Sequence, residues 1–436
     1  MAADKMGFWS VVSVGVGGMV GGGIFAVLGL SVKLAQGGAP IAFAIAGIVA
    51  LLTAYAYVRL SVTFPSRGGT VAFLNEAFGT GIFTGGTNLL LWLSYIVMLS
   101  LYASAFGSYG ATFFPEAAQF WVKHLLISGA IIGITGLNLL SADLIGRAET
   151  WIVALKLIIL GVFIAVGFRG VDWQNLQPST WASPVSIVAG GMIIFLAYEG
   201  FELMANSAED VKNPEKTLPR AYYTAVIFTI ALYVLIAGIA VGSLSTEKVV
   251  AAKEYALAAA AKPFMGSFGF KLIAIAALLS TASAINATLY GTSRLSYIIA
   301  KSGELPAALE KKVWNQPIEG LLLTSALTLF VANTFDLSGI STMGSSGFLL
   351  IFAVVNFANV KLHRQTHSHR WISFLGTIAC LAALVVLLAQ TARTHPQNLW
   401  VVVAMVGIAF AIEIVYRQLT DRHIHLHPAK SESSKR

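Results

Sequence analysis

Long apolar runs set the rhythm of this chain. Mostly hydrophobic segments cover 8–33, 40–63, 82–112, 122–141, 148–168 and 185–208, and then 219–243, 268–300, 318–334, 339–362, 372–391 and 397–417. A helix needs about 20 mostly apolar residues to cross the hydrocarbon core of a bilayer. Each run is close to that length or beyond it, and polar residues gather in the connections. The pattern predicts an all-α polytopic membrane protein with twelve transmembrane helices. Runs 82–112 and 268–300 exceed the minimum, so those helices are expected to tilt or to project from the bilayer. The 244–267 connection contains Tyr255-Ala256-Leu257-Ala258-Ala259-Ala260-Ala261. Alanine is the strongest helix former, which predicts a short helix lying at the outer surface.

Composition agrees. Of 436 residues, 57% are hydrophobic and 11% charged, and the mean hydropathy is +0.77. Soluble chains carry about 25% charged residues. So few charges cannot cover a water-facing surface of this size, which excludes a soluble enzyme, a nucleic-acid binder and a disordered chain. The net charge of +8 therefore reports sidedness rather than an acidic partner. With both termini on one side, 19 Lys and Arg fall on that side and 8 on the other. Positive charge marks cytoplasmic loops, so both termini are expected inside a plasma or bacterial inner membrane. The first run lacks a convincing signal cleavage site and reads as a span. The lone Cys380 can build neither a disulfide framework nor a Cys-based zinc site. The tail at Arg422 alternates His423, His425 and His427 with other residues. Its simplest reading is a solvated basic tail near anionic lipid; no resident metal or cofactor is expected.

Two of the spans carry interruptions. The first reads Gly15-Val16-Gly17-Gly18-Met19-Val20-Gly21-Gly22-Gly23-Ile24-Phe25, and the sixth Phe195-Leu196-Ala197-Tyr198-Glu199-Gly200-Phe201-Glu202. Glycine weakens a helix by roughly 1 kcal/mol per residue relative to Ala. Gly17 with Gly21, and Gly18 with Gly22, also fit helix packing through small pairs. The interruptions, however, recur five spans apart. Interrupted segments at matching positions in two halves point to a transporter binding site. A break frees backbone amides and carbonyls that lipid cannot satisfy, and a zwitterionic ligand can bind both kinds of group.

The motifs that follow resemble the amino acid–polyamine–organocation family. They begin with Gly21-Gly22-Gly23-Ile24-Phe25, then Phe64-Pro65-Ser66-Arg67-Gly68-Gly69 with Phe73, Glu76 and Phe78-Gly79. Next come Tyr198-Glu199-Gly200-Phe201-Glu202, Glu209-Asp210-Val211-Lys212-Asn213-Pro214 and Leu218-Pro219-Arg220-Ala221, and finally Lys301-Ser302-Gly303-Glu304-Leu305-Pro306. Within that family the likeness is to its archaeal, proton-coupled, broad-specificity branch. It extends through Gly146-Arg147-Ala148-Glu149, Ala261-Lys262-Pro263-Phe264, Asn286 to Gly291, and Lys312-Val313-Trp314.

The resemblance implies a fold of five plus five helices in inverted repeat, shared with sodium-coupled neurotransmitter transporters. The first repeat would span 1–168 and the second 185–362, with two extra helices at 372–417 and a basic tail at 418–436. It implies an amino acid substrate held by the backbone of Val20, Gly21, Gly22, Gly23 and Ile24, together with Phe195, Ala197, Tyr198, Glu199 and Gly200. Leu196 stands where relatives often have an aromatic gate, so Phe195 or Tyr198 would have to take that part. Gly22 replaces a frequent hydroxyl residue, which leaves more of the binding to backbone amides.

Lys156 lies among Val153, Ala154, Leu155, Leu157, Ile158 and Ile159. A charge at a helix centre costs roughly 2.5–3.5 kcal/mol on insertion scales, and such residues mark functional sites. By resemblance, its ammonium takes the place that sodium holds in relatives, between helices one and eight. Ser280 and Ser283 share a face of helix eight and would offer it oxygens. This predicts proton coupling without sodium; a Lys held by carbonyls with no transport role is the alternative. Glu202 occupies an acidic position of the family and is the second proton-carrier candidate, although the archaeal branch has Gly there. Glu199 would favour cationic side chains or donate a hydrogen bond as a neutral acid.

Other readings stay open: a sodium-independent exchanger, a polyamine or cationic amino acid permease, or a transporter-like sensor of amino acids. An enzyme is disfavoured, because no His-Glu metalloprotease helix or Gly-x-Ser-x-Gly elbow is present.

Overall fold

The computed structural model describes residues 5–140, 143–301 and 318–419. Helices account for nearly all of them. In chain order they are α1 (Phe8–Met19), α2 (Gly23–Ala35), α3 (Ala39–Thr63), α4 (Thr70–Phe78), α5 (Ile82–Ala111), α6 (Glu116–Leu140) and α7 (Asp143–Gly167). There follow α8 (Pro184–Met192), a 3₁₀ segment Phe195–Asp210, α9 (Pro214–Ser243), α10 (Thr246–Ala251) and α11 (Ala256–Lys301). The chain continues through α12 (Ile318–Thr334), α13 (Leu337–Lys361), α14 (Arg370–Thr394) and α15 (Gln397–Leu419). Among the described residues, β structure is limited to two isolated bridges, Met6 with Val211 and Gln36 with Trp181.

Nine of these helices are long and apolar enough to cross a membrane, and α12, with 17 residues, is a shorter apolar helix. Two bent pairs pass the same length and composition test only when each is taken together: α1 and α2 meet at 47°, and α8 and the 3₁₀ segment at 42°. The expected interruptions are therefore present in the first and sixth apolar runs. The 30 residues of α5 give about 45 Å of helix at 1.5 Å per residue, against a hydrocarbon core of about 30 Å.

The helices form an inner and an outer set. Within its most apolar stretch α5 is 89% buried, whereas α6 is 17% buried and α15 22%. The outer set turns large apolar side chains outward, as a lipid-facing surface requires. Trp9, Trp121, Trp151, Trp371 and Trp400 are all exposed, and tryptophan favours the membrane–water boundary. The lone Cys380 is buried and shares a hydrogen bond with Thr53.

The alanine run does form a helix, the start of α11, which kinks at Gly266 (φ 62). Ala256, Leu257, Ala258, Ala260 and Ala261 are fully buried within the protein. Their small side chains let this turn pack tightly on α2. A Cβ at Gly29 would stand 2.5 Å from the Lys253 carbonyl oxygen. The motif residues 302–306, Lys312-Val313-Trp314 and the histidine tail lie outside the described residues, and of Gly146 to Glu149 only the helical backbone is described.

Candidate functional site

The first break covers Val20, Gly21 and Gly22, between α1 and α2. Helix ends leave backbone groups without intrahelical partners, and here side chains from three other helices supply them. Ser280 Oγ of α11 donates to the carbonyls of Gly21 (2.8 Å) and Val20 (3.3 Å). Tyr233 Oη of α9 donates to the Met19 carbonyl at 2.5 Å. Lys156 Nζ of α7 donates to the Gly17 carbonyl at 3.2 Å. Lys156 is 2% exposed. Its ammonium thus lies against the last turn of α1, where the dipole favours a cation.

The glycines of this break have steric reasons to be there. A Cβ at Gly22 would fall 2.4 Å from the Tyr102 ring and 2.9 Å from Thr281. One at Gly23 would fall 2.8 Å from the Ala197 Cβ. The break is thus pressed between α5, α11 and the 3₁₀ segment.

The second break is at Ile193 and Ile194, immediately before the Phe195–Glu202 stretch the sequence suggested. Beyond it the chain winds into 3₁₀ turns over 16 residues. Such turns rarely extend past three or four residues and often mark hinges. Their donors and acceptors come from α13. Ser341 and Ser345 both donate to the Ile193 carbonyl (2.5 and 3.0 Å), and Ser345 Oγ accepts from the Leu196 amide at 3.2 Å. Tyr233 donates to Ala197 as well (3.3 Å), so one hydroxyl touches the backbone beside both breaks. Where α1 and the 3₁₀ segment cross, a Cβ at Gly200 would lie 2.2 Å from the backbone of Gly18 and Met19. Only glycine permits this approach.

The site residues expected from sequence lie on the two bent pairs, on α7 and on α11. Val20, Gly21, Gly22, Gly23, Ile24, Phe195, Ala197, Tyr198, Glu199 and Gly200 are all buried. The two aromatic gate candidates are occupied elsewhere: Tyr198 Oη donates to the Phe43 carbonyl of α3 at 2.9 Å, and Phe195 packs edge-on against Phe352 of α13. Ser283 is half-buried, on the same helix as Ser280.

Glu202 is 1% exposed and accepts a hydrogen bond from Thr70 Oγ1 at 2.7 Å. Thr70 also shares a 2.7 Å hydrogen bond with Tyr57 Oη. Thr70 has one proton, so Tyr57 donates to Thr70 and Thr70 to Glu202. Glu199 is also 1% exposed, and its Oε2 has no hydrogen-bond partner among the described residues.

A family model described as amino acid permease matches residues 6–410, nearly the whole chain. This chain belongs to the amino acid permease family. It is 36% identical over 419 residues to an uncharacterized protein of Methanocaldococcus jannaschii, an alignment covering 96% of both chains. It is 34% identical to the inner membrane transport protein YbaT of Escherichia coli, over 87% of this chain and 89% of that one. It is 24% identical to the cationic amino acid transporter 7, chloroplastic, of Arabidopsis thaliana, over 94% of this chain and 74% of the other. The permease is thus a multi-pass membrane transporter of amino acids or organic cations, not an enzyme.

Several residues that hold the permease's breaks escaped the sequence reading. Ser341 and Ser345 lie in the polar stretch Ser341-Thr342-Met343-Gly344-Ser345-Ser346-Gly347 inside an apolar run, a signal that could have been followed. Tyr233, Tyr102, Tyr57 and Thr70 carry no local signal.

Proposed function

We propose that this permease is a secondary active transporter that moves amino acids by alternating access, driven by protons and independent of sodium. The observation that carries the reading is the Lys156 ammonium against the Gly17 carbonyl of the first broken helix. A cation supplied by the protein at that place does what a bound sodium ion would do. It ties the fifth span to the first while charged and releases it when its proton leaves. Glu202 is the second candidate for that proton.

In this reading the two bent pairs, α12 and the nine longer helices make twelve spans. Residues 1–168 and 185–362 form inverted repeats, 372–417 adds two helices, and both termini and the 418–436 tail are cytoplasmic. The substrate's carboxylate and amine bind the backbone of 20–24 and 195–200, and Glu199 contacts its side chain.

Reconstituted liposomes test this. Labelled amino acid uptake is expected to follow an inward proton gradient, to ignore sodium, and to vanish in Lys156→Ala. Undiminished uptake in Lys156→Ala overturns the role of Lys156 and moves coupling to Glu202. A second reading, a cationic amino acid or polyamine permease, is favoured by the buried, unpaired Glu199 oxygen. Competition by arginine, lysine and putrescine against neutral amino acids decides between them. Ligand binding without any uptake would make the protein a sensor.

A further inference from the structure

The turn between α13 and α14 gathers cations and no acid. Lys361, Arg364 and Arg370 are exposed there, and no Asp or Glu occurs between Asp336 and Glu413. The turn's other ionisable side chains, His363, His367 and His369, carry positive charge or none. Among the described residues, none of the three cations enters an ion pair. The turn is fastened from beneath. Asn359 of α13 is fully buried; its Nδ2 donates to Ser373 Oγ of α14 at 2.7 Å, and its Oδ1 accepts from Thr366 Oγ1 at 2.9 Å. The His369 amide donates to Tyr55 Oη of α3 at 2.7 Å. The Arg59 guanidinium lies 5.5 Å from the centroid of the same Tyr55 ring, so a fourth cation, from α3, stands beside the turn. Groups held in place before binding lose less freedom when a ligand arrives.

The patch also borders the lipid-facing wall. Phe357 of α13 and Trp371, Phe374 and Ile378 of α14 are exposed. Phe357 precedes Lys361 by about one helical turn, and Trp371 directly follows Arg370. We propose that the α13–α14 turn and Arg59 form a binding site for an anionic phospholipid. The negative headgroup meets Arg59, Arg364 and Arg370, and the acyl chains run along Trp371 and Phe374. Basic pockets between membrane helices suit such headgroups. A soluble anion has no use for the apolar wall, and a choline head finds no acid to pair with. The bound lipid bridges α3 and α13, the helix whose Ser341 and Ser345 hold the second break.

The site does not depend on what the permease carries, so its test needs no uptake. The purified full-length protein is reconstituted in phosphatidylcholine with rising fractions of dibrominated phosphatidylglycerol or, in parallel, dibrominated phosphatidylcholine. Bromine quenches tryptophan fluorescence on contact. Measuring each protein with and without Trp371→Phe isolates the signal of Trp371. Phosphatidylglycerol is expected to bind there in preference. Arg364→Gln and Arg370→Gln should each lower that preference about fivefold, the weight of one Lys or Arg near an anionic surface. Both arginines are exposed, so these variants keep the core. Arg393→Gln, in the last turn of α14 at its far end, should leave the preference unchanged. Equal quenching by the two lipids at Trp371, a wild-type preference in both arginine variants, or the same loss in Arg393→Gln overturns the site. Displacement of the lipid by inorganic phosphate, but not by chloride at equal ionic strength, overturns it too, in favour of a soluble anion.

Discussion

The first break, at Val20–Gly22, is built from glycine and crowded on its neighbours' side. The second, at Ile193–Ile194, is built from two β-branched residues and is held by serines 148 and 152 residues away. At the first, the chain's own sequence weakens the helix, and donors from α7, α9 and α11 then occupy the freed carbonyls. At the second, nothing local weakens it beyond Gly190 and Gly191 just before. The hydroxyls of α13 compete for the Ile193 carbonyl and the Leu196 amide, and the helix tightens into 3₁₀ turns beyond them. Lipid cannot satisfy a broken helix, so each break has to be filled by protein or substrate. A break made by glycine can re-form in several ways. A break made by a neighbour's hydroxyls moves with that neighbour. This gives α13 a direct hold on the sixth span, and Lys156 a corresponding hold on the first.

The largest effect is expected where the two broken elements touch. Gly200→Ala puts a Cβ 2.2 Å from the backbone of Gly18 and Met19, and backbone cannot swing away as a side-chain tip can. Overpacking usually costs about 1–3 kcal/mol; this contact should reach or exceed the top of that range. Thermal unfolding of the purified protein should show a large fall, with transport lost. Gly161→Ala is the control. A Cβ there meets nothing within 4 Å, and replacing a helical glycine should stabilise by about 0.5–1 kcal/mol. Equal behaviour of the two variants would mean that the crossing is looser than the geometry states.

This contrast also explains what could be read from sequence. Gly21-Gly22-Gly23 announces the first break because glycine acts on its own backbone. Lys156 stands out because a charge in an apolar run is costly wherever it points. The apolar runs locate the spans within a few residues, because bilayer thickness is a property of the solvent. The second break was expected within Phe195–Glu202 and begins just before it, at Ile193–Ile194. Gly200 is there for a close crossing with α1, and the break itself comes from Ser341 and Ser345. Tyr233 was missed for the same reason: its target at Met19 is 214 residues distant. The alanine helix was legible from propensity alone, whereas the burial of Ala256, Leu257, Ala258, Ala260 and Ala261 depends on what packs against it.

Removing the hydroxyls separates the two breaks further. The double variant Ser341→Ala with Ser345→Ala leaves the Ile193 carbonyl and the Leu196 amide buried without partners. An unsatisfied buried group costs about 1–3 kcal/mol. Ser280→Ala removes both hydrogen bonds to Val20 and Gly21, yet the adjacent glycines can turn those carbonyls toward other donors. Unfolding midpoints should therefore fall further for the α13 pair than for Ser280. The reverse order would show that the first break is the more rigid of the two.

The smallest effect tests whether the breaks are coupled at all. Tyr233→Phe keeps the ring against Phe43 and Tyr198 and removes only the hydroxyl that reaches Met19 and Ala197. Hydrogen bonds between membrane helices average about 0.6 kcal/mol in double-mutant cycles, so stability should drop by that order. Cycles with Ser280→Ala on one side and Ser345→Ala on the other should then differ from zero, because the same hydroxyl supports both carbonyl sets. Strict additivity in both cycles would mean that the two breaks respond separately. The α9 hydroxyl would then be a local filler on each side and not a link between the two broken helices.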